Sequence, residues 1–151
     1  MKFSMITAAA ILGLASAQQA IVINGCKETV YVQSVPFDGS KSGSLTTLAP
    51  GKSFTEEFRK GGSTVKIAKN KNLDKPLFFG YSSSFNPDYS YYELSSEWGN
   101  PFLGSHNSLS AGPNCPMFDC KANDAACYST PQHERNLGCK KPARVTAHLC
   151  K

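Results

Sequence analysis

What this chain lacks narrows its function before any motif is considered. Beyond the first 17 residues no apolar run approaches the length needed to cross a bilayer, so no transmembrane segment is expected. No Gly-rich loop follows a strand-like stretch, which excludes the common phosphate cradle. There is no aromatic-basic motif of the kind that grips nucleic acid, and no nucleic-acid partner is expected. His106, His133 and His148 stand outside any Ser-His-Asp or Cys-His arrangement, leaving nucleophilic catalysis little support. The chain has no CxxC pair, and its Cys and His spacings do not match a zinc site, so neither a metal nor a cofactor is expected. No Asn-x-Ser/Thr sequon invites N-glycosylation. Amphipathic helices and internal repeats are also missing; the nearest approach to a helix is a short turn around residues 121–128.

The features that are present begin with MKFSMITAAAILGLASA. Lys2 supplies a positive start, Met5 to Leu14 a short apolar run, and Ala15-Ser16-Ala17 a small-residue cleavage site. Residues 1–17 are therefore expected to be a secretory signal, leaving residues 18–151 as one extracellular domain, large enough to bury a core. All six cysteines (Cys26, Cys115, Cys120, Cys127, Cys139 and Cys150) lie in that part. An even count in an oxidising compartment points to three disulfides, with fifteen pairings open. The formal charge of +5 is spread out, with modest clusters at Lys66, Lys69, Lys71 and Lys75 and at Lys140, Lys141 and Arg144. A solvated basic surface accounts for this; a weak attraction to anionic walls or membranes is the alternative.

Short β-prone stretches separated by turn chemistry fill most of the chain. Residues 21–35 are rich in β-branched side chains, with Asn24-Gly25 as a turn. Thr29, Tyr31 and Gln33 fall on one side and Val30, Val32 and Ser34 on the other. DGSKSGSLTT is loop-like, and Ala49-Pro50-Gly51-Lys52 has the make-up of a type II turn. Further strands are expected over 53–58, 64–68, 77–81, 89–94 and 144–149. Six or seven such strands imply an all-β sandwich. Residues 103–142 are poor in strand signal, rich in Pro, Gly and Asn, and hold four cysteines. They read as a disulfide-stapled loop excursion, held in shape by bridges that each restrict the unfolded chain by about 2–4 kcal/mol.

Several stretches, in this order, carry a resemblance: IVINGCKETVYV, LAPGKSFTEEF, GGSTVKIAK, YYELSSEWGNPF, Cys115-PMFD-Cys120-KANDAA-Cys127 and RVTAHLC. Together they resemble the thaumatin-like superfamily, and more specifically the small secreted fungal proteins of the Blastomyces yeast-phase-specific family, which share YY-acid-L-S-x-x-x-G-x-PF. Full thaumatin-like proteins are longer and have more cysteines. The resemblance implies a compact thaumatin-like β-sandwich with a disulfide-stapled loop region. It also implies the pairings Cys26–Cys150, Cys115–Cys120 and Cys127–Cys139.

In the larger relatives an acidic cleft is associated with β-glucan binding. The resemblance places Glu93 at one acid of that cleft and Lys69 where its Arg falls. Glycoside hydrolysis needs two carboxyls, one protonated and one ionised; Glu93 and Glu97 are a possible pair, but a turn separates them, and two solvated glutamates near a strand end are the more ordinary reading. Asp119 and Asp124 read as loop-turn residues. Between Phe78 and Phe102 lie nine aromatics in 25 residues, Phe85 among them. Alternation sends Tyr89 and Tyr91 to one face and Tyr92 with Leu94 to the other, so the group divides between core packing and a surface for sugar rings. The candidate ligand residues are Tyr89, Tyr91, Glu93, Trp98 and Lys69. The expected function is that of a secreted, monomeric, non-enzymatic effector or virulence-associated protein at a cell wall or host surface. Its partner would be a β-glucan or other wall glycan, or a host protein. The alternatives are a weak β-glucan hydrolase and an antimicrobial protein acting on anionic membranes.

Overall fold

The computed structural model describes residues 17–83 and 88–151. The signal-like residues 1–16 and Phe85 lie outside the described residues. Eleven strands form there: β1 (Gln19–Asn24), β2 (Val30–Pro36), β3 (Thr46–Leu48), β4 (Ser53–Glu57), β5 (Ser63–Ala68), β6 (Leu77–Ser82), β7 (Tyr89–Ser95), β8 (Asn107–Ser110), β9 (Met117–Cys120), β10 (Leu137–Lys140) and β11 (Arg144–Leu149). They make two sheets, one ordered β4-β1-β11-β8-β9 and the other β10-β7-β6-β5-β2-β3. The only helical element among the described residues is a 3-10 turn at Ala125–Cys127. None of the described helical segments is long and apolar enough to cross a membrane.

The core lies between the sheets, and strict alternation fills it. β1 sends in Ala20 and Val22, β2 Val30 and Val32, β5 Val65 and Ile67, β6 Leu77 and Phe79, and β11 Val145 and Ala147, all fully buried. β7 alternates as its residue types require, with Ser90, Tyr92 and Leu94 inward and Tyr89, Tyr91 and Glu93 outward. Asn24-Gly25 ends β1 and carries the chain from one sheet to the other, since β1 and β2 belong to different sheets. The buried Asn24 side chain donates to Glu28 O and Leu48 O and accepts the Cys26 N–H. A Cβ on Gly25 would come 2.5 Å from Leu149 O, so only glycine permits this approach. The turn at Ala49–Lys52 closes through Lys52 N–H to Ala49 O, with Gly51 at φ +76°.

β1 and β11 pair in parallel, with Asn24 opposite Leu149. Both strands therefore run out at the same end, where Cys26 is bonded to Cys150. The other four cysteines pair differently from the implied Cys115–Cys120 and Cys127–Cys139. Cys115 is bonded to Cys139 and Cys120 to Cys127. The reason is β9: an extended strand advances about 3.3 Å per residue, which carries Cys120 out of bonding reach of Cys115.

The expectation of a strand-poor excursion over 103–142 is corrected too. β8 and β9 extend the five-stranded sheet, and β10 forms an edge of the six-stranded sheet beside β7. These strands have only four residues each, NSLS, MFDC and LGCK, with no β-branched residue among them. Their neighbours impose the extended state; residue preference does not announce it.

Candidate site on the outer face of the six-stranded sheet

The outward side chains of β7 lie across glycines. Glu93 faces Gly80 of β6 in register, and a Cβ at position 80 would sit 3.1 Å from Glu93 Cγ and 3.2 Å from its Oε1. Gly138 of β10 faces Tyr91, and a Cβ there would meet the Tyr91 ring at 3.1 Å. Two side chains thus lie low on a sheet whose partners have no side chain to lift them. Tyr89 lies beside Tyr91, with ring centroids 6.4 Å apart and planes 28° apart.

Tyr91, Glu93, Gly80, Phe37 and Asn136 line a cavity of about 450 Å³. Glu93 also lines an adjoining depression of about 330 Å³, together with Glu97, Ser129, Glu134 and Arg135. The two form one groove with Glu93 at the junction. Burial first, then the charges of Glu97 and Glu134, push the Glu93 carboxyl above its ordinary value, against the Ser129 hydroxyl bond that favours the ionised form. Burial and neighbouring carboxyl charge are the causes by which proteins raise a carboxyl toward general-acid use. Among the described residues Arg135 is ion-paired with no groove carboxylate: its guanidinium donates to Cys127 O and Met117 O and lies over the Phe118 ring.

Lys69 and Trp98 fall outside this groove. Lys69 forms an ion pair with Glu28 at 3.1 Å and sits over the Phe102 ring. Trp98, 64% exposed, lines a separate trough with Phe78 and Leu73. Asp119 lies on β9, where the loop-turn expectation is corrected; its carboxylate meets His106 at 2.6 Å and Lys121 at 2.8 Å, which holds it down at about 2. Asp124 precedes the 3-10 turn.

The model of the Blastomyces yeast-phase-specific protein family matches residues 7–151. The chain belongs to that family. Among solved structures it is similar to the protein elicitor MoHrip2 from Magnaporthe oryzae, at 58% identity and TM-score 0.87, covering 89% of this chain and 100% of that one. It also matches a thaumatin-like xylanase inhibitor at 14% identity and TM-score 0.59, covering 87% of this chain and 99% of that one. The second likeness establishes the thaumatin-like fold alone. Comparison with curated proteins finds no match.

For a Blastomyces yeast-phase-specific protein, the outward face of β7 is the part of the groove that sequence alone indicates. Glu134 and Asn136 escape it, because they precede β10, whose pairing with β7 no local pattern announces. Gly138 was the available signal, a glycine next to Cys139 in a segment otherwise read as loop.

Proposed function

We propose that this protein is secreted and acts as an elicitor-type recognition protein at the cell wall or a host surface, binding a wall glycan such as β-glucan along the Tyr91–Glu93 groove. The observation that carries this reading is the low seating of Tyr91 and Glu93 over Gly138 and Gly80. It leaves an aromatic face and an acid side by side in an open groove. Aromatic faces take the apolar side of a sugar ring, and carboxylates accept from its hydroxyls. Similarity to a fungal elicitor and three disulfides in a small β domain support a secreted effector-type role.

A weak hydrolase is the second reading, favoured by the raised Glu93 carboxyl beside Glu97 and Glu134. Sedimentation with insoluble β-glucan and with chitin, run beside a reducing-sugar assay, tests both. Retention on the polymer without sugar release supports recognition and rejects hydrolysis. Failure to sediment with either polymer removes the glycan reading and directs the search to a protein target.

A further inference from the structure

Phe37 and Trp98 are 56% and 64% exposed, and both line the second depression on this sheet face, a trough of about 500 Å³. It shares Phe37 with the acidic groove, but no carboxylate lines it. Val35, Pro36, Leu73, Pro76 and Phe78 make most of the rest, and besides the Trp98 indole N–H only Thr64 and Lys66 bring polar side-chain groups. Leu73 holds a left-handed backbone, φ 56°, in the loop that follows β5, a conformation that costs a non-glycine residue of order 1 kcal/mol or more. Among the described residues no carboxylate is ion-paired with Lys66.

These features select an occupant. A sugar carries a hydroxyl on most of its carbons, and each desolvated hydroxyl needs a partner; one hydroxyl, one ammonium and one indole N–H cannot meet that demand. A second copy of the chain needs roughly 20–30 residues a side for a standard interface, several times what the trough provides. A flat bilayer has no use for a hollow, whereas Phe37 and Trp98, though exposed, flank one of ligand size. One unpaired ammonium in an apolar trough complements a single-chain amphiphile with an anionic head.

We propose that the Trp98 trough binds a long-chain fatty acid, its carboxylate at Lys66 and its acyl chain along Phe37, Phe78 and Trp98. The site adjoins the glycan groove at Phe37 but uses neither Tyr91 nor Glu93.

Trp98 is the only tryptophan of the chain, so its emission reports on the trough directly. Oleate, titrated into the purified protein below its micelle concentration, is expected to give a saturable blue shift at one molecule per chain. Lys66→Ala should weaken oleate by about tenfold, the loss of one charge-assisted bond, and leave oleyl alcohol unaffected. Tyr91→Ala should change neither. Circular dichroism checks that each variant is folded. The absence of a saturable oleate response, or an equal response in Lys66→Ala, overturns the proposal. So does a β-glucan hexasaccharide that shifts Trp98 more tightly than oleate, or phosphatidylglycerol vesicles that shift it when free oleate does not.

Discussion

Glu93 rests against Gly80, its register partner across β6 and β7, so closely that an added Cβ would stand 3.1 Å from Glu93 Cγ. Gly80→Ala is therefore expected to push the carboxylate a few tenths of an ångström off the sheet. Because a flexible side chain can yield, stability should change by only about 1 kcal/mol. Retention on β-glucan should fall several-fold. A thermal melt beside the sedimentation assay separates the two effects; a large loss of stability would show that Glu93 cannot yield.

The raised Glu93 carboxyl sets a pH dependence with a defined sign. An unfolded Glu ionises near 4.5, and the folded one only above that value. The folded state thus keeps the proton that the unfolded state releases, so stability falls as pH rises from 4.5 through the folded value. Glu93→Gln removes this loss. Its melting temperature should match the wild type below pH 4.5 and exceed it above, by a margin that grows up to the folded value and is constant beyond. Equal melting curves across the range would show that Glu93 titrates like an exposed glutamate.

Much of this architecture was legible in the alternation of residue types. Val30, Val32, Val65, Ile67, Tyr92 and Leu94 announce inward faces by period two, and each is buried. The turn at Gly51 was equally clear, since Pro50 and Gly51 have few other uses side by side. The limits appear where structure is imposed from a distance. β8, β9 and β10 hold their extended state through pairing with β11, β8 and β7. Without β9 in view, Cys115 and Cys120 look close enough to join. Position in a motif points Lys69 to the cleft, but its ammonium pairs with Glu28. A long-range ion pair leaves no local trace, and the seat that Gly138 gives Tyr91 leaves only the glycine itself.

The disulfides should differ in worth. Cys26–Cys150 spans 124 positions and Cys120–Cys127 only 7. Loop-closure entropy assigns about 5 kcal/mol to the first and about 2.5 kcal/mol to the second. Paired Cys→Ser substitutions, compared by urea denaturation, should reproduce that order. Peptide mapping of the unreduced protein should recover Cys115 linked to Cys139; recovery of Cys115 linked to Cys120 would contradict the fold.

Asn24 should be among the most sensitive polar positions. Asn24→Ala removes two donors and one acceptor from a fully buried site, stranding Glu28 O, Leu48 O and the Cys26 N–H. At about 1–3 kcal/mol for each stranded buried group, a loss of about 3 kcal/mol or more is expected in urea denaturation. A loss below about 1 kcal/mol would show that water or a shifted backbone replaces these bonds.

The central claim is that the Tyr91–Glu93 face binds glycan, and co-sedimentation of Tyr91→Ala with insoluble β-glucan beside the wild type tests it most directly. Tyr91 lies outside the core, so the variant should fold. The account predicts that the wild type is pulled down and that Tyr91→Ala, with an unchanged melting temperature, stays largely in the supernatant. Equal retention of both proteins, or of neither, would contradict it.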